Sequence, residues 1–345
     1  MNLQQVLQPA TIKLQILGYN FGKLSKLKIL HTITSLIVCL VVTFFYWKNR
    51  KVKFGFALNK VVFTAAVSRS LGTILVMIMV LSLGYLGYFN KIVVLTKKIS
   101  DIDQVFSEFG LDIGTLNQKH RKILVVLVLV NLFLHGLVDW STVRLVPLNP
   151  YQFLVAVVYP RMVVSTFNIV FYVYTQILEE RFKLMNLIIV QEQYFSKKIK
   201  SLVVLHKTLV KVARKLNQIF GPQLLLWVLL SVMVVTLELH VFFFSLFNKL
   251  LGQYPTGTIA VKNASLFIFD LIFIAHRCNK LCNEANKTVF LCYSFKVDIN
   301  DEETRNDFTK LQLKLSNKLE ITACRVFKID NSLFLEVSIK VVKID

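Results

Sequence analysis

Gln223–Phe247 reads QLLLWVLLSVMVVTLELHVFFFSLF, 25 residues whose only ionisable side chains are Glu238 and His240. About 20 predominantly apolar residues carry a helix across the hydrocarbon core of a bilayer, so this stretch is long enough to span. The residues leading into it have a different character. Leu202, Leu205, Leu209, Val212, Leu216 and Ile219 recur at steps of three and four, one apolar stripe on a helix. Lys200, Lys207, Lys211, Arg214 and Lys215 take the other faces. A basic amphipathic helix therefore enters a span across a Gly221-Pro222 break. The adjoining span argues against a surface helix on a soluble domain, and the chain reads as a polytopic membrane protein.

Composition agrees. Hydrophobic residues make up 55% of the 345, and charged residues only 18%, below the roughly 25% of globular proteins. Mean hydropathy is +0.58. A net charge of +21 would point a soluble protein toward nucleic acid. Here the basic residues lie between apolar runs, where topology and anionic membrane lipid account for them, and no nucleic-acid partner is expected. Of the five cysteines, Cys39 falls within a span, and Cys278, Cys282, Cys292 and Cys324 fall on the expected cytoplasmic side, which disfavours disulfides. His276, Cys278 and Cys282 form an H-x-C-x3-C cluster, but no second Cys or His pair accompanies it, so no metal is expected. No cofactor motif occurs. The first apolar run is too long for a signal peptide and lacks a small-residue cleavage site.

Taken in order, residues 1–28 form an N-terminal tail and the spans cover about 29–47, 64–89, 123–143, 151–177, 221–247 and 258–276. Residues 178–220 and 277–320 read as cytoplasmic helical segments. Counting Lys and Arg orients the chain: 27 fall in the tail, 90–122, 178–220 and 277–318, against seven in the opposite loops. The positive-inside rule then puts the N-terminus in the cytoplasm, although five of the seven crowd the first outer loop. The predicted class is all-α: a polytopic transmembrane helical bundle with six clear spans, a degenerate seventh and long cytoplasmic helices. Asn263-Ala264-Ser265 is a glycosylation sequon at or within the sixth span, and Asn286-Lys287-Thr288 is another on the cytoplasmic side. Neither is expected to be modified.

Two stretches carry a family likeness. Ile321-Thr322-Ala323-Cys324, with Phe327, Ile329-Asp330 and Leu333-Phe334, resembles the run that opens the seventh span of insect gustatory receptors. Leu205–Leu226, LHKTLVKVARKLNQIFGPQLLL, is similar to that family's entry into its fifth span. The resemblance implies a seven-span, tetrameric ligand-gated cation channel in the plasma membrane, assembled as a homo- or hetero-tetramer. Its small-molecule tastant would bind among the outer halves of spans two to six, and its seventh span would line the pore. The family's closing Thr-Tyr, five-apolar, Gln-Phe motif does not follow. Val326–Ile344 carries Lys328, Asp330, Glu336, Lys340 and Lys343, each costing about 2.5–3.5 kcal/mol at mid-bilayer. Arg325 stands where the family has a small residue, and Leu333–Val341 alternates with a strand-like period. The expectation is a divergent or truncated C-terminus, which would leave this form without a pore helix and non-conducting.

The residues support a pocket on their own account. Arg69, Asp139, Trp140, Tyr151, Gln152, Tyr159, Glu238 and His240 all fall at one depth, in the outer halves of spans two to five. Ionisable groups inside a membrane are expensive, so they face a wet cavity or pair with one another. This set would suit a small polar or amphipathic ligand. An Arg69–Asp139 or Arg69–Glu238 pair that only fixes packing is the plain alternative. Asp270 lies deeper, where it could meet cytoplasmic helices. No catalytic or phosphate-binding constellation appears, so an enzyme is not expected. A six-span secondary transporter would show inverted repeats and Gly- or Pro-broken spans, and neither is evident. A non-conducting accessory subunit of intact receptors is the other alternative.

Overall fold

A computed structural model describes residues 5–8, 34, 37, 38, 40–45, 67, 70–78, 89–145, 151, 154–247, 256–294, 309, 318–324 and 326–332. Five long helices follow one another: α1 (Phe89–Glu108), α2 (Ile113–Leu145), α3 (Tyr159–Val190), α4 (Glu192–Phe247) and α5 (Thr256–Ser294). A π-helical turn, Leu154–Val158, leads into α3. The expected first and second spans lie mostly outside the described residues, as do the end of the first loop and the tail beyond Ser332. Among the described residues, Tyr159–Val190, Ser201–Phe247 and Gly257–Thr288 are long and apolar enough to cross a membrane.

Local chemistry sets the turns. Gly110, at φ +80°, closes α1: its N–H reaches the Ser107 carbonyl at 2.9 Å and the Leu111 N–H reaches Phe106 at 3.3 Å. These are the paired bonds of a left-handed helix cap, a conformation that costs glycine least. Asp112 then opens α2 by accepting from the Gly114 and Thr115 N–H groups at 2.8 and 3.2 Å. Those hydrogen bonds, Thr115's first, hold its carboxyl below the usual carboxylate range. Only Gln191 separates α3 from α4; its backbone is extended and its N–H still bonds the Leu187 carbonyl. The two helices therefore fold back on each other as a tight hairpin.

The structure corrects one expectation. The helix does not break at Gly221-Pro222: α4 runs unbroken for 56 residues with Pro222 inside it. At 1.5 Å per residue that is about 84 Å, far longer than the roughly 30 Å hydrocarbon core. About half of α4 must therefore stand outside the membrane. Its apolar stripe, Leu202 to Ile219, is buried throughout, as the spacing predicts.

The centre of the fold is α3, which is buried on nearly every face. It packs on α2, α4 and α5, and α4 packs on α1 and α5. Phe220 of α4 sits among the rings of Phe167, Phe171 and Tyr174 at centroid distances of 5.0, 5.2 and 6.4 Å. On the other side of α3, Tyr172 stacks on Phe273 of α5 at 4.3 Å. Leu229, Phe243 and Phe247 of α4 and Phe269 and Ile272 of α5 are exposed, an apolar surface suited to lipid. One departure from all-α structure follows α5. Thr322–Ala323 (β1) and Phe327–Lys328 (β2) pair antiparallel, so the run expected to open a seventh span begins as a two-stranded hairpin.

Replacing Phe220 by Ala should cost about 3–5 kcal/mol, read as a fall in Tm of the purified protein in micelles. Phe243→Ala, on the lipid-facing side, should leave Tm nearly unchanged.

Candidate functional site

The expected pocket residues separate into three groups. Arg69 and Gln152 lie outside the described residues. Asp139 and Trp140 lie on α2, with side chains also outside the described set. Of the remainder, Tyr151 and His240 are exposed, and Tyr159 is partly buried against the core at the head of α3. Glu238 alone is fully enclosed, at 5% exposure on α4. It accepts a hydrogen bond from Nδ2 of buried Asn263 on α5, at 3.4 Å. The sequon asparagine is thus a buried partner of a buried acid on α4.

Reading the sequence missed the rest of this polar set. Arg161, two residues into α3, is buried and is the charged neighbour of Asp270 on α5. Trp227 of α4 stacks on Phe267 of α5 at 5.3 Å. The Trp227 indole N–H and both amide atoms of Asn168 and Gln223 are buried without a hydrogen-bond partner among the described residues. Gln223 and Trp227 are four apart and share a face of α4. Asn168 shares a face of α3 with Tyr172, which meets α5. Buried polar atoms thus lie on both α3 and α4, beside the aromatic contacts those helices make with α5. An unsatisfied buried polar group costs about 1–3 kcal/mol, which a guest with a polar head would relieve. Arg161 could have been noticed, since a lone Arg at the start of an apolar run is a strong signal.

Below the junction, charges bind the helices together. Arg181 of α3 has no exposed surface. Its Nε donates to Asp103 Oδ1 of α1 at 3.0 Å, and its Nη2 donates to Asp103 Oδ2 at 3.0 Å and to Asn117 Oδ1 of α2 at 2.7 Å. Its Nη1 lies 3.3 Å from His120 Nε2, so His120 accepts there as a neutral ring. Burial first, and the Arg181 charge second, push His120 down to about 3. On the opposite side of α3, Glu179 pairs with Arg277 of α5 at 2.9 Å and with Lys183 at 2.6 Å. Arg277 also lies over the Tyr172 ring, 4.8 Å from its centroid. Further down, Asn186 of α3 donates to the Glu284 carbonyl at 3.0 Å and accepts from Thr288 at 2.6 Å. His276 faces outward while Cys278 and Cys282 are buried, so the three do not converge.

Comparison with known proteins extends this picture. A model of the 7tm Chemosensory receptor family matches residues 7–339. No individually curated protein matches. The structure of the insect olfactory receptor OR5 from Machilis hrabei superimposes with a TM-score of 0.64 at 12% identity, over 99% of this chain and 96% of that one. The same receptor in complex with eugenol gives 0.67 at 11% identity over the same shares. At that identity the likeness is one of fold.

Arg181→Met strands the Asp103 carboxylate and should cost about 3–5 kcal/mol; adding Asp103→Asn should recover part of it in thermal unfolding. His120 is neutral in the fold and titrates near 6.5 when unfolded. Its contribution is therefore complete above pH 6.5 and is lost as pH falls, by about 2 kcal/mol at pH 5. His120→Gln should flatten that slope in Tm measured against pH.

Proposed function

The chain belongs to the 7tm chemosensory receptor family, and from that premise we propose that it is a gustatory-type receptor subunit of a ligand-gated cation channel. Membership makes it a membrane receptor and not an enzyme, and lends no support to a six-span transporter. The observation that carries the gustatory reading joins two regions. Leu205–Leu226 and Ile321–Asp330, the two stretches that resemble gustatory receptors, lie against each other in the fold through Asn217 and Thr322. On this reading the subunit sits in the plasma membrane, N-terminus inside, in a homo- or hetero-tetramer.

The ligand is a small amphipathic molecule seated among the outer halves of the spans. Its polar group would meet Glu238, Asn263, Arg161 and Asp270, with Tyr159 and Trp227 giving aromatic walls. Asp139, Trp140, Arg69 and Gln152 belong to the same proposed lining, and Tyr151 and His240 to its outer rim. Glu238 has the strongest support, because a carboxylate at 5% exposure in an apolar helix needs a polar reason to be there.

The test is ligand-evoked current on expression in a null cell. Glu238→Gln and Asp139→Asn should each move the half-maximal ligand concentration tenfold or more, about 1.4 kcal/mol, at unchanged surface expression. An unchanged dose–response in both variants would count against the placement. A chain silent alone but active with an intact receptor would instead be an accessory subunit.

A further inference from the structure

Lys318–Ser332 rises along the groove between α4 and α5, held at points the ligand site does not use. At the lower end Asn286 of α5 reads the backbone of Leu319 in both directions. The Leu319 N–H donates to Asn286 Oδ1 at 2.9 Å, and Asn286 Nδ2 donates to the Leu319 carbonyl at 3.2 Å. Asn217 of α4 grips Thr322 the same way: the Thr322 N–H donates to Oδ1 at 3.2 Å and Nδ2 donates to Thr322 Oγ1 at 3.2 Å. One turn further, Gly221 exposes bare helix backbone. A Cβ there would stand 3.3 Å from the Cys324 nitrogen and 3.7 Å from the Thr322 carbonyl oxygen. At the upper end Phe327 packs on Val228 of α4 and Leu271 of α5.

Apolar contact alone would let such a segment slide, because it has no direction. Two amide clamps about three residues apart fix its height and its rotation. The hairpin tip just beyond them is held tight: Cys324 takes φ +52°, and the Val326 N–H returns to Ala323 at 2.9 Å. Lys328 ties the hairpin's base to Asp330 at 3.1 Å and Glu320 at 3.7 Å.

We infer that Asn217, Gly221 and Asn286 are positioning residues. They set the seat of 318–330 on the α4–α5 pair, and through it the placement of the chain that continues toward the pore. This rests on the receptor reading, in which the stretch opening at Ile321 leads to the gating region. A movement of α4 against α5 then reaches the pore through the segment that bridges them.

Cys282 reports on the seat. It is 6% exposed, and the Ile321 backbone N–H reaches its sulfur, so the segment lies over it. The experiment uses the full chain with Cys39, Cys278 and Cys292 changed to Ala and Cys324 to Gly, a residue that favours the positive φ. Maleimide labelling of Cys282 in permeabilised membranes is followed beside ligand-evoked current. Asn217→Leu, Asn286→Leu and Gly221→Val should each label at least tenfold faster than the parent. Asn217→Asp, which keeps the acceptor for the Thr322 N–H, should fall between, and Gln218→Leu, on the exposed face, should match the parent. The maximal current should fall severalfold while the half-maximal ligand concentration stays within twofold at equal surface expression. A merely structural lesion would lower expression instead. Parental labelling rates in Asn217→Leu and Asn286→Leu would overturn the inference, as would faster labelling with an unchanged maximal current. A parent with no current, alone or beside an intact receptor, but with faster labelling in the variants, would remove the channel reading and leave the seat standing.

Discussion

A guanidinium with no exposed surface lies between three helices, and the way they pack on one another depends on it. Arg181 could not be buried alone, because taking an unpaired charge out of water costs several kcal/mol after relaxation. Asp103 meets it with two oxygens in the forked geometry that a guanidinium favours. Asn117 and His120 take further donors. Each partner comes from a different turn of α1 or α2, so the charge can be satisfied only when the α1–α2 hairpin sits at one height against α3. Thr96 of α1 and Tyr174 of α3, hydroxyl to hydroxyl at 2.6 Å, pin the same pair of helices about two turns away.

The same helix is fastened on its other side by a charge of opposite sign. Glu179 and Arg181 are two residues apart, which on an α-helix turns them roughly 200° from each other. Arg181 thus faces α1 and α2 while Glu179 faces Arg277 of α5. Neither pair needs to add much net stability, since desolvation offsets most of the Coulomb attraction. What they supply is register, which hydrophobic contact cannot. A ring cluster such as Phe167, Phe171, Tyr174 and Phe220 tolerates small slides, whereas a buried guanidinium does not.

The sequence displayed its apolar periodicities openly. The Leu202–Ile219 stripe predicted what α4 buries, and the 25-residue run after Pro222 lies whole within that helix. Polar residues were harder to read, because one letter serves several purposes. Arg181 and Arg277 counted only toward the inward positive charge, yet both are buried pairing groups. Asn263 and Asn286 stood out only as sequons, and both proved to be packing amides. The pocket expected from Arg69, Asp139 and their neighbours was chosen by depth. Depth along a helix says nothing of which way a residue turns, so Glu238 came out enclosed and His240 exposed.

Gly221-Pro222 shows the same ambiguity at the backbone. The pair looks like a helix breaker, and in an isolated peptide it would be one. Within α4 the missing proline N–H would free the carbonyl of Gln218, one turn earlier, and Gln218 is exposed, where water can satisfy it. The helix therefore loses little by continuing. The missing glycine side chain opens the surface at the level where the Cys324 backbone approaches. A long helix can thus stay continuous and still admit another segment to within van der Waals distance of its backbone. The dipeptide that reads as an interruption serves instead as a notch in an unbroken rod, and the C-terminal hairpin is shaped to fit it.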